Sequence, residues 1–139
     1  MIKRFLYIVA WIIELGALVG ADALDHFGRA KLGMNRWLVF HNSAWEESLP
    51  VAAIEVACVV LLLVLLVAAV AMWHDKAGAL FATESALSLC CIVVLSFYLL
   101  NNNAELDHAF YLMAACYALG CFAQVLKTAG VGFAAAKRK

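Results

Sequence analysis

The sequence predicts an all-α integral membrane protein: a four-helix bundle of up-down connectivity, both termini cytoplasmic, with a short interfacial helix between helices 1 and 2. Three observations carry this prediction. Of 139 residues, 67% are hydrophobic and 14% charged, and mean hydropathy is +0.93, against about 45–50% apolar and about 25% charged residues in water-soluble domains. The apolar residues gather into four stretches near or above the length that spans a bilayer, because a helix rising about 1.5 Å per residue crosses about 30 Å of hydrocarbon in about 20 residues. None of the stretches alternates with period 2 as a membrane β-barrel strand does, so self-satisfied helices are the spanning element. The chain reads as a single transmembrane domain over 1–139. Ten basic and ten acidic residues cancel to a net charge of +0. That argues against nucleic acid as a partner, which calls for a basic surplus.

The first span is placed at 5–26. Its apolar core, Phe5 to Ala21, is interrupted only by Glu14. Lys3 and Arg4 ahead of an apolar run that ends in Ala21-Asp22-Ala23 also fit a secretory signal. Glu14 inside the run favours a retained helix. The outer segment 27–48 carries Phe27, Trp37, Leu38, Val39, Phe40 and Trp45 among charged residues, a composition suited to headgroup depth. Met34–Asn42 is expected to lie along the outer surface as a short helix or turn, broken from the first span by Gly28 and Gly33. Ser48 is expected to cap the second span, with Pro50 in its first turn. That span, 49–73, holds one charge, Glu55, and from Val59 to Val70 is Leu/Val-rich all round, which suits lipid. The third, 77–100, holds one charge, Glu84. The fourth is placed at 108–127. The tail 130–139, rich in small and basic residues, is expected to fray at the inner headgroups. Short connections make the last three spans antiparallel neighbours.

Orientation follows the basic residues. Lys3, Arg4, Lys76, Lys127, Lys137, Arg138 and Lys139 fall on one side, while Arg29, Lys31 and Arg36 fall on the other. The basic-rich side faces the cytoplasm. The expectation is an integral protein of the bacterial inner membrane, N-in and C-in.

Several residues invite a chemical reading. A carboxylate in hydrocarbon costs several kcal/mol unless neutralised, paired or wet. Glu14 and Glu55 would reach similar depth on adjacent antiparallel helices, and there could share a proton or hold a cation; the bland alternative is that each faces a partner or snorkels to the headgroups. Glu84 lies near the level of Gln124 and Lys127, and a Glu84–Lys127 pair locking two helices is preferred to a catalytic carboxylate. Ser85, Ser88 and Cys91 extend the stripe of Glu84 as small packing residues. Tyr117, Gly120, Gln124 and Lys127 share one face of the fourth span, which reads as a protein contact, within the bundle or with another subunit. At the outer face, Asp22 and His26 are spaced i and i+4, and His41, His108, Glu105 and Asp107 lie at the same boundary. Imidazole with carboxylate suits a transition metal, so Asp22, His26, His41 and His108 form the candidate metal set. Ordinary solvated residues at a membrane boundary are the simpler account. The five cysteines, Cys58, Cys90, Cys91, Cys116 and Cys121, all fall in spans without a C-x-x-C pair and read as small packing residues.

The order Asp22, His26, His41 resembles the copper-binding pattern in a membrane subunit of particulate methane monooxygenase, over those three residues only. Separately, Arg36-Trp37-Leu38-Val39-Phe40 followed by Trp45-Glu46-Glu47 resembles the stretch after the first helix in small membrane subunits of TRAP-type transporters. That likeness covers about a dozen residues and implies a transporter accessory subunit. The inner turn Trp73-His74-Asp75-Lys76 departs from that family, which usually has a basic motif there.

No Walker loop, nucleophile elbow, zincin motif or dinucleotide fingerprint is present. The leading expectation is therefore a non-catalytic accessory or structural subunit of a larger membrane complex, a transporter or an oxidoreductase assembly. Its partners would be the lipid bilayer and a protein in the membrane, as a homo- or hetero-oligomer. The alternatives are a membrane metal-binding or redox enzyme with the outer-face His/carboxylate set, and a proton- or cation-coupled transport element using Glu14 and Glu55.

Overall fold

The computed structural model describes residues 1–75, 78–102 and 109–137, and five helices form there: α1 (Ile2–Ala30), α2 (Leu32–Ser48), α3 (Val51–Trp73), α4 (Ala79–Asn101) and α5 (Phe110–Ala136). Four of them, α1, α3, α4 and α5, are long and apolar enough to cross a membrane.

The boundaries depart from the sequence expectation in three places. Helix α1 does not stop at Gly28. That glycine is buried, and a Cβ there would lie 3.3 Å from Leu38 Cδ1 and 3.6 Å from Ala109 Cβ. The break comes at Lys31, which is extended (φ −117°, ψ 114°). Helix α2 then runs past Asn42 to Ser48, whose hydroxyl donates back to Ala44 O at 2.7 Å and so does not cap α3. Leu49, ahead of proline, is forced extended (φ −128°, ψ 142°) and ends the helix, leaving Pro50 as the N-cap of α3. Finally, α5 continues through the expected tail to Ala136. Alanine is the best helix former, and Gly132 is buried where Phe81 and Trp73 close over it.

Helix α5 is the hub, packing on α1, α3 and α4, while α3 also packs on α4. Along α1 and α5 the register runs Glu14 to Lys127, Ala17 to Gly120 and Gly20 to Cys116, an antiparallel pairing. Between α4 and α5 it runs from Phe81 at Gly132 through Ser88 at Thr128 to Tyr98 at Tyr117, again antiparallel. One core cluster joins Leu62, Leu66, Ile92, Leu95, Cys121 and Val125. A second, at the α2 end, joins Leu38, Ala109 and Met113.

The distribution of polarity is the reverse of a water-soluble domain. Val67 and Phe97 are 65% and 68% exposed, whereas Ser88 and Thr128 are fully buried and Lys127 nearly so. Apolar side chains turned outward around a polar interior are stable where the surrounding medium is hydrocarbon.

Candidate functional site

The polar interior is a connected ion network, and Lys127 of α5 is its sole cation among the described residues. The ammonium donates to Glu14 Oε2 of α1 at 3.0 Å and stands 3.7 Å from Glu84 Oε2 of α4. Side-chain exposure of the three is 1%, 13% and 10%, so they meet in a largely water-free space. Two aromatic rings of α1 add to the enclosure. The ammonium lies 4.1 Å from the Trp11 ring centroid and 5.5 Å from that of Tyr7, within the range of attraction to a ring face.

Glu84 has donors on both oxygens. Tyr7 hydroxyl donates to Oε1 at 2.7 Å, and Gln124 Nε2 donates to Oε2 at 2.8 Å. Below it, Ser88 and Thr128 hydroxyls lie 2.7 Å apart and reach the Glu84 carbonyl at 3.0 and 3.1 Å. Glu14 is less completely served. Its Oε2 has Lys127, but its Oε1 is buried with no hydrogen-bond partner among the described residues. Two carboxylates therefore converge on one ammonium, an excess of one negative charge if both acids are ionised. An uncompensated charge in a medium of low dielectric is costly.

The helix geometry explains why these residues meet. Tyr7, Trp11 and Glu14 are spaced i, i+4 and i+7, one face of α1, and Gln124, Lys127 and Thr128 are spaced i, i+3 and i+4, one face of α5. Close approach of α1 and α5 is allowed by Gly120, whose α-carbon faces Ala17: a Cβ there would lie 3.6 Å from the Ala17 methyl.

The expected sharing between Glu14 and Glu55 does not form. Glu14 turns to α5, and Glu55 lies half-buried on a separate groove lined by α2, α3, α4 and α5. Glu84 and Lys127 do come together, with Glu14 as the closer acid. The face of Tyr117, Gly120 and Gln124 points into the bundle: Tyr117 packs edge-to-face on Tyr98 at 5.0 Å, and Gln124 bonds Glu84. At the other end, Asp22 and His26 are exposed on α1, while His41 stacks on Trp37 at 3.9 Å and its Nδ1 lies 2.9 Å from Trp37 O. Among the described residues no three His, Cys, Asp or Glu side chains are grouped to hold a metal. His108, with Glu105 and Asp107, lies outside the described residues. Tyr7, Trp11 and Thr128 escaped the sequence reading, although the spacing from Tyr7 to Glu14 carried the signal.

Comparison with protein-family models, with curated proteins and with solved structures finds no match to this chain.

Proposed function

We propose that this protein is a proton- or cation-coupled element of the membrane whose exchange site is the Glu14–Lys127–Glu84 centre. The single observation that carries the reading is the convergence of two carboxylates on one buried ammonium inside helices able to span a bilayer. Intramembrane ionisable groups are costly to keep for stability alone and are characteristic of ion pathways. The division of labour follows from the hydrogen bonds. Glu84, held by Tyr7 and Gln124, is the fixed partner of Lys127. Glu14, with one oxygen that has no partner among the described residues, is the arm that binds and releases the cation, in the simplest case a proton.

Purified protein in liposomes with a pH-sensitive dye inside, under a potassium diffusion potential, tests this. Proton entry above that of empty liposomes is expected, reduced at least ten-fold by Glu14→Gln and unaffected by Glu47→Gln on exposed α2. Equal flux in wild type and Glu14→Gln overturns the proposal.

A second reading, a non-catalytic subunit of a larger membrane complex, draws on a different observation. In α1 and α3 only 11% of the most apolar stretch is buried, which leaves room for partner helices. A subunit of that kind carries no flux alone, so the same liposomes separate the two readings. In either case the excess of basic residues around Lys3, Arg4 and Lys137 supports cytoplasmic termini in a bacterial inner membrane. It also supports α2, with Trp37 and Trp45, as an outer interfacial helix.

A further inference from the structure

We propose that the groove between α3, α4 and α5, roofed by the end of α2, binds a small organic ammonium ion, its charge at Glu55 and its apolar body along the groove wall. The groove is open on one side, has a volume of about 230 Å³ and is lined by Trp45, Glu55, Cys58, Leu99, Tyr111 and Ala115, among others. Its walls are otherwise apolar. Glu55 contributes a carboxylate with no hydrogen bond or ion pair among the described residues, in contrast to Glu14 and Glu84. The second acid nearby, Glu46, is already engaged: Tyr111 hydroxyl donates to its Oε1 at 2.7 Å, tying α2 to α5. Trp45 and Tyr111 stand edge to face there, 6.4 Å between centroids.

These features select the ligand class. A hard metal ion such as calcium takes about 6–8 oxygen ligands, and this groove offers one uncommitted carboxylate. Aromatic side chains and a carboxylate together are the recognition chemistry of an alkylammonium group. The apolar wall then favours a cation with a hydrocarbon or aryl body over a bare one. The volume lies below the roughly 300–1,000 Å³ of sites for drug-sized ligands, so the ligand is small. This inference stands apart from the ion-coupled reading, since the groove and the Lys127 centre share no residue and binding requires no flux.

The test is equilibrium binding of radiolabelled benzyltrimethylammonium to the protein in neutral maltoside micelles, with neopentylbenzene, its uncharged isostere, as competitor. Saturable binding is expected, weakened at least ten-fold by Glu55→Gln and retained by Glu47→Gln, which lies on exposed α2 outside the groove. Neopentylbenzene should compete at least ten-fold less well than unlabelled cation. Absence of saturable binding, equal binding to Glu55→Gln, or equal competition by the isostere overturns the proposal. So does loss of binding when phosphatidylcholine is added, because the groove would then belong to a lipid headgroup.

Discussion

Lys127 illustrates how one residue organises this interior. Its ammonium is held by Glu14 and Glu84 and by the rings of Trp11 and Tyr7. Replacing it with methionine, one atom shorter, keeps most of the apolar stem and removes the charge, leaving two acids without a cation. Orphaning a buried charge costs about 3–5 kcal/mol, so Lys127→Met should unfold at markedly lower temperature in maltoside. Adding Glu14→Gln to Lys127→Met should recover part of that loss, and a double variant no more stable than the single one would count against direct coupling. At this scale the sequence was partly legible. A helical repeat measured from the span ends put Glu84 level with Lys127. It could not show that Glu14 competes for the same ammonium, because that depends on which helices touch.

Among the elements, α5 shows where hydrophobic patterning stops being informative. The four spans were legible because uninterrupted apolar runs in the amino-acid string have few other uses. The last turns of α5 were not, since Gly130–Ala136 resembles a fraying tail until Gly132 is seen beneath Trp73 and Phe81. A Cβ at Gly132 would stand 2.8 Å from each of those rings. Gly132→Ala should therefore destabilise by about 1–3 kcal/mol through overpacking. At Gly16, where a Cβ meets nothing within 4 Å, alanine should be neutral or stabilising by up to about 1 kcal/mol, since helix propensity alone acts. Thermal unfolding of the two variants side by side checks both, and similar destabilisation by each would contradict the seating of Gly132. Helix α2 was under-read for a related reason: its aromatic and charged residues suit a boundary segment, and where it ends is set by Pro50.

For the whole molecule, the arrangement differs from chain order. Reading adjacent spans as neighbours set Glu14 beside Glu55, whereas α1 lies along α5. Nothing in local pattern encodes that choice. It is made by side chains far apart in sequence, the carboxylate of Glu14 and the ammonium of Lys127 together with the small surfaces of Ala17, Gly20 and Gly120. A direct check uses the native Cys116, whose Sγ is 3.8 Å from a Cβ built at Gly20. Mild oxidation of the Gly20→Cys variant should join α1 to α5 through a disulfide to Cys116, read as a mass decrease and a reducible mobility shift. Failure of that link to form would displace α1 from α5.

The position of Lys127 on α5, after both of its acids in chain order, also governs how the charged centre is made. A lysine at the centre of a spanning helix opposes insertion by about 2.5–3.5 kcal/mol, and its counterions arrive on helices synthesised much earlier. During translation α1 and α4 enter the bilayer with acids that have no cation to meet. A chain halted ahead of Lys127 leaves Glu14 and Glu84 without their cation, so the charged centre closes only when α5 is in place.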